Sequence, residues 1–597
     1  MSQRTRQWPC ERSHRRIGAS LCVVLAMVGY SACNEKGGRG ASVEVTPAAA
    51  DVQPLGLVSF DASVSGAATT AVQWSVSETG GGGIDSNGLY IAPATVGTFH
   101  VIARSVADSS ASATSTVAVS SAGGIAPPSA ACATAPLRTS GTRYYYCDCG
   151  TGASSKCVAG SDSNAGTSPA APRRTLADAG SRFNGMNGGD TVALCRGGAW
   201  DSGGLNPHNS NCRGTSESTF CDFRDYVPSW GSSSSPRPVL NFGGNTGFSV
   251  SAPGATQGYR FWNLDLRQTD SGTNSGFLFF GDVSSVDICN VSLQGPYCGV
   301  QLANKSSDTG FSVRGSQFYR TGFSALLGVT NGMVIDNNYF EDNGLRATPL
   351  MHTMYLSGPD GTVLTSGVQV TNNDIHVGSY CGGVIMVIHA LVDDLLIQNN
   401  NIQSASTNPN CYGSQANTSA APLAQFNRIK WIRNRIAVGG ATAIEAAGCS
   451  DCMITDNLVS GGPVGVGGAP GNGLGPTTRV TIQNNSVYDG SISVYNTGNG
   501  YIVENNAVWN DGGSCFNVAA PTARDSNNYC RTSGGAGVGT VWVDAPNGNF
   551  RPVNPGPLIG TASQTYYSPT AIGSTVWSAS DAGQARSPPV DTGALQH

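Results

Sequence analysis

Ile335-Asp-Asn-Asn338-Tyr-Phe340, Val370-Thr-Asn-Asn373-Asp-Ile375 and Ile397-Gln-Asn-Asn400-Asn-Ile402 are three copies of one phrase. In each, an apolar residue is followed by two variable positions, Asn, one variable position and a second apolar residue. The phrase returns around Asn434, Asn457, Asn485 and Asn506 and its Asn recurs at Asn528, with steps of 21 to 35 residues between successive asparagines. A period of this length predicts a solenoid, in which each repeat buries its apolar face only by stacking on its neighbours. Aligned one above another at the interstrand spacing of about 4.8 Å, the asparagines would form a buried amide ladder. They read as a structural feature, with Val, Ile and Phe filling the coil beside them. Traced backwards, the repeat places Ser316, Cys289 and Leu264 at the Asn position of the windows Val313–Phe318, Val286–Val291 and Phe261–Leu266.

Composition agrees with short strands and turns. Of 597 residues only 12% are charged, and 79 are Gly, which is a poor helix former. The length exceeds one compact core, so an elongated array or several units are expected. The formal charge of −5 provides no broad basic surface, which argues against nucleic acid as a partner.

The first 32 residues read as a leader. Arg4, Arg6, Arg12, Arg15 and Arg16 precede an apolar run from Ile17 to Gly29, too short to span a bilayer comfortably. The run ends in Tyr30-Ser31-Ala32-Cys33, which resembles a bacterial lipoprotein cleavage site, although Tyr30 stands where Leu is usual. The resemblance implies lipidation of Cys33, membrane anchoring and residence in the cell envelope. Cleavage as an ordinary secretory signal near Ala32 is the alternative, and both export the chain. Without residues 1–32 the chain has 28 basic and 37 acidic residues, a formal charge of −9. Fifteen cysteines remain from Cys132 onward, so in an oxidising compartment most should pair and at least one is left over. Cys449 with Cys452, Cys289 with Cys298, and Cys515 with Cys530 are the expected local bridges.

After a polar tether, residues 42–120 hold several short strands separated by Gly, Ser and Asp turns, which suggests a sandwich. The run Trp74-Ser-Val-Ser-Glu…Ile84-Asp-Ser-Asn-Gly88-Leu-Tyr90-Ile-Ala-Pro93…Val101-Ile-Ala103 resembles bacterial Ig-like domains. The resemblance implies Trp74 in the core, a turn at Gly88, and a spacer or adhesive role. Residues 121–136 form a Gly/Pro/Ala-rich linker.

From residue 137 to 597, a second resemblance applies. Tyr144-Tyr-Tyr-Cys, Pro172-Arg-Arg-Thr-Leu-Ala177, Gly189-Asp-Thr-Val-Ala-Leu194 and Gly197-Gly-Ala-Trp200 resemble the opening of secreted right-handed parallel β-helix proteins of the pectate-lyase-like superfamily. Gly548 to Gly560 and Val590-Asp-Thr-Gly-Ala594 resemble their closing phrases. The implied fold is all-β, an Ig-like β-sandwich followed by a right-handed parallel β-helix. Thr175–Asn184 would be the capping helix, and the Gly189 phrase would start the first rung.

The superfamily includes lyases, hydrolases, epimerases and non-enzymes, so function must come from side chains. Enzymes of this architecture bind polysaccharide along the stacked strands of one face. A β-eliminative lyase needs a base, an acid and a group that neutralises the uronate carboxylate. Arg346-Ala-Thr-Pro-Leu-Met-His352-Thr-Met-Tyr355 supplies such groups: His352 as base or carboxylate neutraliser, Tyr355 as acid or base, and Arg346 as substrate clamp. In a regular strand, residues three apart face opposite sides, so only one of His352 and Tyr355 is expected to line a groove. His389, then Gln425 with Lys430, then Glu445 fall in the following rungs as substrate-binding candidates. Glu445 is expected three rungs from Tyr355. The Asp-Pro-His phrase of alginate epimerases and the paired-Asp pattern of polygalacturonases are missing. No cofactor is expected, although the turn acids Asp393-Asp394 and Glu341-Asp342 are of the kind that bind Ca2+. The sequence therefore points to an exported, lipid-anchored, monomeric protein acting on extracellular polysaccharide, with a uronate-polymer lyase favoured over a hydrolase. A non-catalytic glycan-binding or adhesive surface protein is the alternative.

Overall fold

A strand in a parallel solenoid satisfies its backbone only through the rungs before and after it. In this chain that rule is met by three long stacks. The computed structural model describes residues 41–119, 131–558 and Gly593, apart from short internal stretches of which the longest are 252–257, 304–308, 359–363, 417–425, 468–476 and 533–540. The leader with Cys33, the Gly88 turn, Gln425 and most of the last closing phrase lie outside the described residues. The chain divides into two units, Met1–Gly124 and Ile125–His597.

The first unit contains three small sheets. Ala49–Val52, Ser112–Val119, Gly97–Ser105 and Val72–Val76 are neighbours in a four-stranded sheet, accompanied by a two-stranded and a three-stranded one. Alternate residues fill one core: Val45, Phe60, Tyr90, Val101, Ala103, Val117 and Val119. Trp74, expected at the centre, is only half-buried, because its strand Val72–Val76 lies at the edge of the four-stranded sheet. Tyr90 takes the central place, fully buried with its hydroxyl donating to the Gly81 carbonyl at 2.6 Å.

The second unit is a parallel β-helix. Its three longest sheets have 14, 13 and 11 strands, each strand paired in parallel with the equivalent strand of the next rung, and a four-stranded parallel sheet and a two-stranded antiparallel one accompany them. The repeat phrase straddles two of them. The apolar residue before Asn lies in the 14-stranded sheet, as in Val334–Asp336, and the one after it lies in the 13-stranded sheet, as in Tyr339–Glu341. Ile335, Val370, Ile397, Trp431, Ile454, Ile482 and Val503 are all buried in the coil. The residue just before each ladder Asn turns the corner in the left-handed region, with φ between 53° and 60° from Asn337 to Asn527. Short polar residues tolerate this conformation best, which explains the recurrent Asn or Asp there.

The ladder is complete from Asn338 to Asn528. Each Oδ1 accepts from the backbone N–H and the amide of the preceding Asn, as at Asn373, where Asn338 N and Nδ2 both donate at 3.0 Å. Each Nδ2 also reaches a strand carbonyl, such as Asn434 to Ile397 at 2.9 Å. Earlier in the coil Ser316 continues the row, accepting through Oγ from the Val291 N–H at 3.1 Å. The expected place of Cys289 in that row is therefore corrected to Val291. Ile288 pairs with Val313, so the ladder position three residues on is Val291.

Leu176–Gly185 forms the capping helix, with Thr175 as N-cap and Leu176, Ala179 and Phe183 buried. The 14-stranded sheet starts one strand earlier than expected, at Arg143–Tyr146, which pairs with Thr191–Cys195. Among the described residues there are seven disulfides, which include Cys449–Cys452 and Cys515–Cys530 as anticipated. The proposed Cys289–Cys298 pair does not form. Cys289 bonds Cys132, and Cys298 is a buried free thiol. The two cysteines lie on strands of different sheets. No helix among the described residues is long and apolar enough to cross a membrane.

Candidate functional site

The 11-stranded sheet carries most of the chemistry anticipated from sequence. Its strand His352–Ser357 does not alternate regularly at its start. Thr353 and Met354 are both buried. The rows they belong to both face the coil: a Cβ on Gly299, two rungs before Thr353, would lie 2.8 Å from the core ring of Phe318, and one on Gly413, two rungs after it, 2.7 Å from Ile436. With two consecutive residues turned inward, residues three apart emerge on the same side. Ser275 and Gln301, from the equivalent rows in earlier rungs, confirm this, since Ser275 Oγ donates to Gln301 Oε1 at 2.9 Å. His352 and Tyr355 therefore both face outward, with ring centroids 5.6 Å apart. This overturns the expectation of opposite faces.

His352 is 7% exposed and sits behind Tyr355. Its Nδ1–H donates to the Val384 carbonyl at 2.7 Å, which leaves Nε2 as the acceptor of the neutral ring. Burial lowers the pKa of His352, more than the carbonyl bond restores it. Tyr355 in turn lies 5.4 Å from the ring of His389, on the strand Met386–His389. Burial pushes the Tyr355 phenol up and the His389 imidazole down. The three rings thus form a row of neutral proton donors and acceptors at physiological pH.

Along the same outward row, Tyr355 is followed by Val387, Gln415 and Glu445 in successive rungs. The three steps amount to about 14 Å. Gln415 Nε2 donates to Glu445 Oε2 at 2.5 Å. Burial raises the Glu445 pKa, and the Gln415 bond opposes that only in part. Gln415 was missed from sequence. The rung that holds it was represented there by Gln425 and Lys430, and the place of Lys430 is corrected. Its strand, Lys430–Ile432, belongs to the 14-stranded sheet, where Nζ pairs with Asp394 at 2.9 Å. Turn lengths vary between rungs, and the count along the chain overran by two strands, past Phe426–Asn427 to Lys430–Ile432.

Arg346 is engaged elsewhere. Its guanidinium makes two bonds to Asp270, at 2.7 and 2.8 Å, and covers the Tyr297 ring with 5.0 Å to the centroid. The turn acids are likewise occupied. Asp393 pairs with Arg428, Asp394 with Lys430, Glu341 accepts from Tyr339 at 3.0 Å, and Asp342 from the Gly378 N–H at 2.8 Å. Among the described residues, no three His, Cys, Asp or Glu side chains are grouped to hold a metal ion.

The sheets define the chain as a parallel β-helix protein. No family model matches it, and no curated protein matches it. Solved structures similar to it include an alginate lyase from Paenibacillus sp., at 11% identity and TM-score 0.34, covering 60% of this chain and 97% of the lyase. The A-module of a mannuronan C-5 epimerase from Azotobacter vinelandii has 12% identity and TM-score 0.36, covering 60% of this chain and 96% of the module. The catalytic unit of an alpha-1,3-glucanase from Streptomyces thermodiastaticus has 12% identity and TM-score 0.35, covering 58% of this chain and 63% of that unit. At this level of similarity they do not distinguish one reaction from another.

Proposed function

We propose that this protein is an exported polysaccharide lyase whose cleft is the outer face of the 11-stranded sheet. The observation that carries the reading is the row His352, Tyr355 and His389, with the Gln415–Glu445 pair further along the same face. In a uronate polymer, the His389 imidazole takes the C5 proton. The electron pair left behind forms the C4–C5 double bond as the C4–O4 bond breaks, and the Tyr355 hydroxyl protonates the departing oxygen. His352 holds the Tyr355 ring from behind, through its own anchor on Val384. Gln415 and Glu445 hold a neighbouring sugar. A hydrolase would need a second carboxyl at a defined distance from Glu445. Within its own row Glu445 is flanked by Gln415 and Gly465 and by no second carboxyl.

Export is supported by the basic-then-apolar leader and by the seven disulfides, which suit an oxidising compartment. Anchoring through Cys33, and the Ig-like module as a spacer, belong to the same proposal. Incubating the purified chain with a panel of uronate polymers and following the absorbance of unsaturated ends tests the lyase. No product from any polymer by a folded protein would reject it.

One observation favours a second reading, glycan binding without turnover. Arg346 is spent on Asp270 and Lys430 lies on another sheet, so neither meets a substrate carboxylate at Tyr355. Under that reading uronate oligosaccharides bind, nothing is cleaved, and Tyr355→Phe leaves affinity unchanged.

A further inference from the structure

Beyond Glu445 the outward row continues in small residues. Gly465 follows Glu445 in the same row, then Ser493. In the adjacent row the backbone bonds of successive rungs carry Ala447 on to Gly467 and then to Tyr495. Gly467 is glycine for a backbone reason: its φ is +92°, and a Cβ there would lie 2.0 Å from the Tyr495 carbonyl oxygen. Gly465 is different. Its φ is not in the left-handed region, and a Cβ there would sit in ordinary contact, 3.6 Å from Tyr495 Cε2. The backbone would accept alanine. Gly465 is buried, with the Tyr495 ring lying across it beside Glu445.

Tyr495 is 51% exposed, among the most exposed large apolar-bodied side chains described. It belongs to the rung after that of Gly465, so it stands two rungs from Glu445 while its ring leans back toward it. An aromatic ring presented beside a carboxyl and a carboxamide suits a pyranose. The sugar's C–H face stacks on the ring while its hydroxyls reach the polar pair. At the other end of the face stand Tyr355 and His389. From the His389 strand to the Tyr495 strand there are four pairings, Met386 with Ser414, Ser414 with Ile444, Ile444 with Val464, and Val464 with Ile492. That is about 19 Å, and since a pyranose unit spans about one rung, room for about four sugars.

We infer that Tyr495 over Gly465 is a distal stacking subsite of the same cleft, so that the protein engages an oligosaccharide run of about four units within a polymer. The inference rests on the proposed glycan cleft. It adds the residue that grips the far end of the chain and the length of ligand the cleft measures.

The test is calorimetric binding of uronate oligosaccharides, dimer to hexamer, to the full chain and to Tyr495→Ala and Tyr495→Phe, with circular dichroism to show that the variants fold. Affinity should rise with length to about the tetramer and then level off. Tyr495→Ala should lose about tenfold at the tetramer and nothing at the dimer, the scale of one aromatic contact. Tyr495→Phe should keep the wild-type profile. Equal affinity of Tyr495→Ala and wild type at every length, with binding itself retained, overturns the inference and leaves the cleft standing. Binding of no oligosaccharide at all overturns both.

Discussion

The rings of His352 and Tyr355 stand 5.6 Å apart on one face of the solenoid although two residues separate them in a strand. The bend that turns both Thr353 and Met354 inward makes this neighbourhood possible. It converts two residues that a regular strand would hold on opposite sides into one chemical group.

Tyr355→Phe removes only the hydroxyl and keeps the packing against His352 and His389. Turnover of a cleaved polymer should fall by about 10²–10⁴-fold with little change in substrate affinity, the range for a lost acid–base group. Steady-state kinetics on the variant check this, with thermal unfolding to show that stability is retained.

Glu445 is an acid whose pKa is raised, first by burial. Because the folded value lies above the unfolded one, its stabilising contribution is full below the unfolded pKa and is lost as pH rises through the folded one. Glu445→Gln should therefore be more stable than wild type at neutral pH, and the difference should close on acidification. Denaturant unfolding of both proteins across that window checks the sign.

His352 and His389 have the opposite linkage. Burial lowers both, so between the ordinary His value and the folded one the unfolded chain binds protons that the native chain does not. Stability should fall as pH drops through that window. A His352→Gln variant should show a shallower fall in the same titration.

Asn434 accepts from Asn400 through both N and Nδ2 and donates to Asn457 and to the Ile397 carbonyl. Asn434→Ala would leave several buried groups without partners, at about 1–3 kcal/mol each. A loss of at least ~3 kcal/mol is expected on urea unfolding, with no effect on glycan affinity, because the ladder lies inside the coil.

The solenoid and its ladder were legible because they repeat. A spacing error at one rung is corrected by the next, and the left-handed residue before each Asn leaves a compositional mark. The N-terminal turns of the coil were less legible, since Val291, Leu264 and Ser316 do not share a side-chain type, and the row slipped to Cys289. The site was half legible. Tyr355, His389 and Glu445 do share a face. The common outward orientation of His352 depends on a local bend that no periodicity encodes. Gln415 was overlooked because polar residues abound in the turns, and Lys430 was misassigned by a variable turn. Arg346 shows a further limit: its bond to Asp270 joins residues 76 apart, and nothing in the local sequence announces it.

The most direct test of the account is the absorbance of unsaturated ends released from uronate polymers by wild type and by Tyr355→Phe, side by side. The account predicts product from at least one polymer with wild type and its near-complete loss in the variant. Equal product from both proteins would contradict the role given to Tyr355, and none from wild type would contradict the lyase.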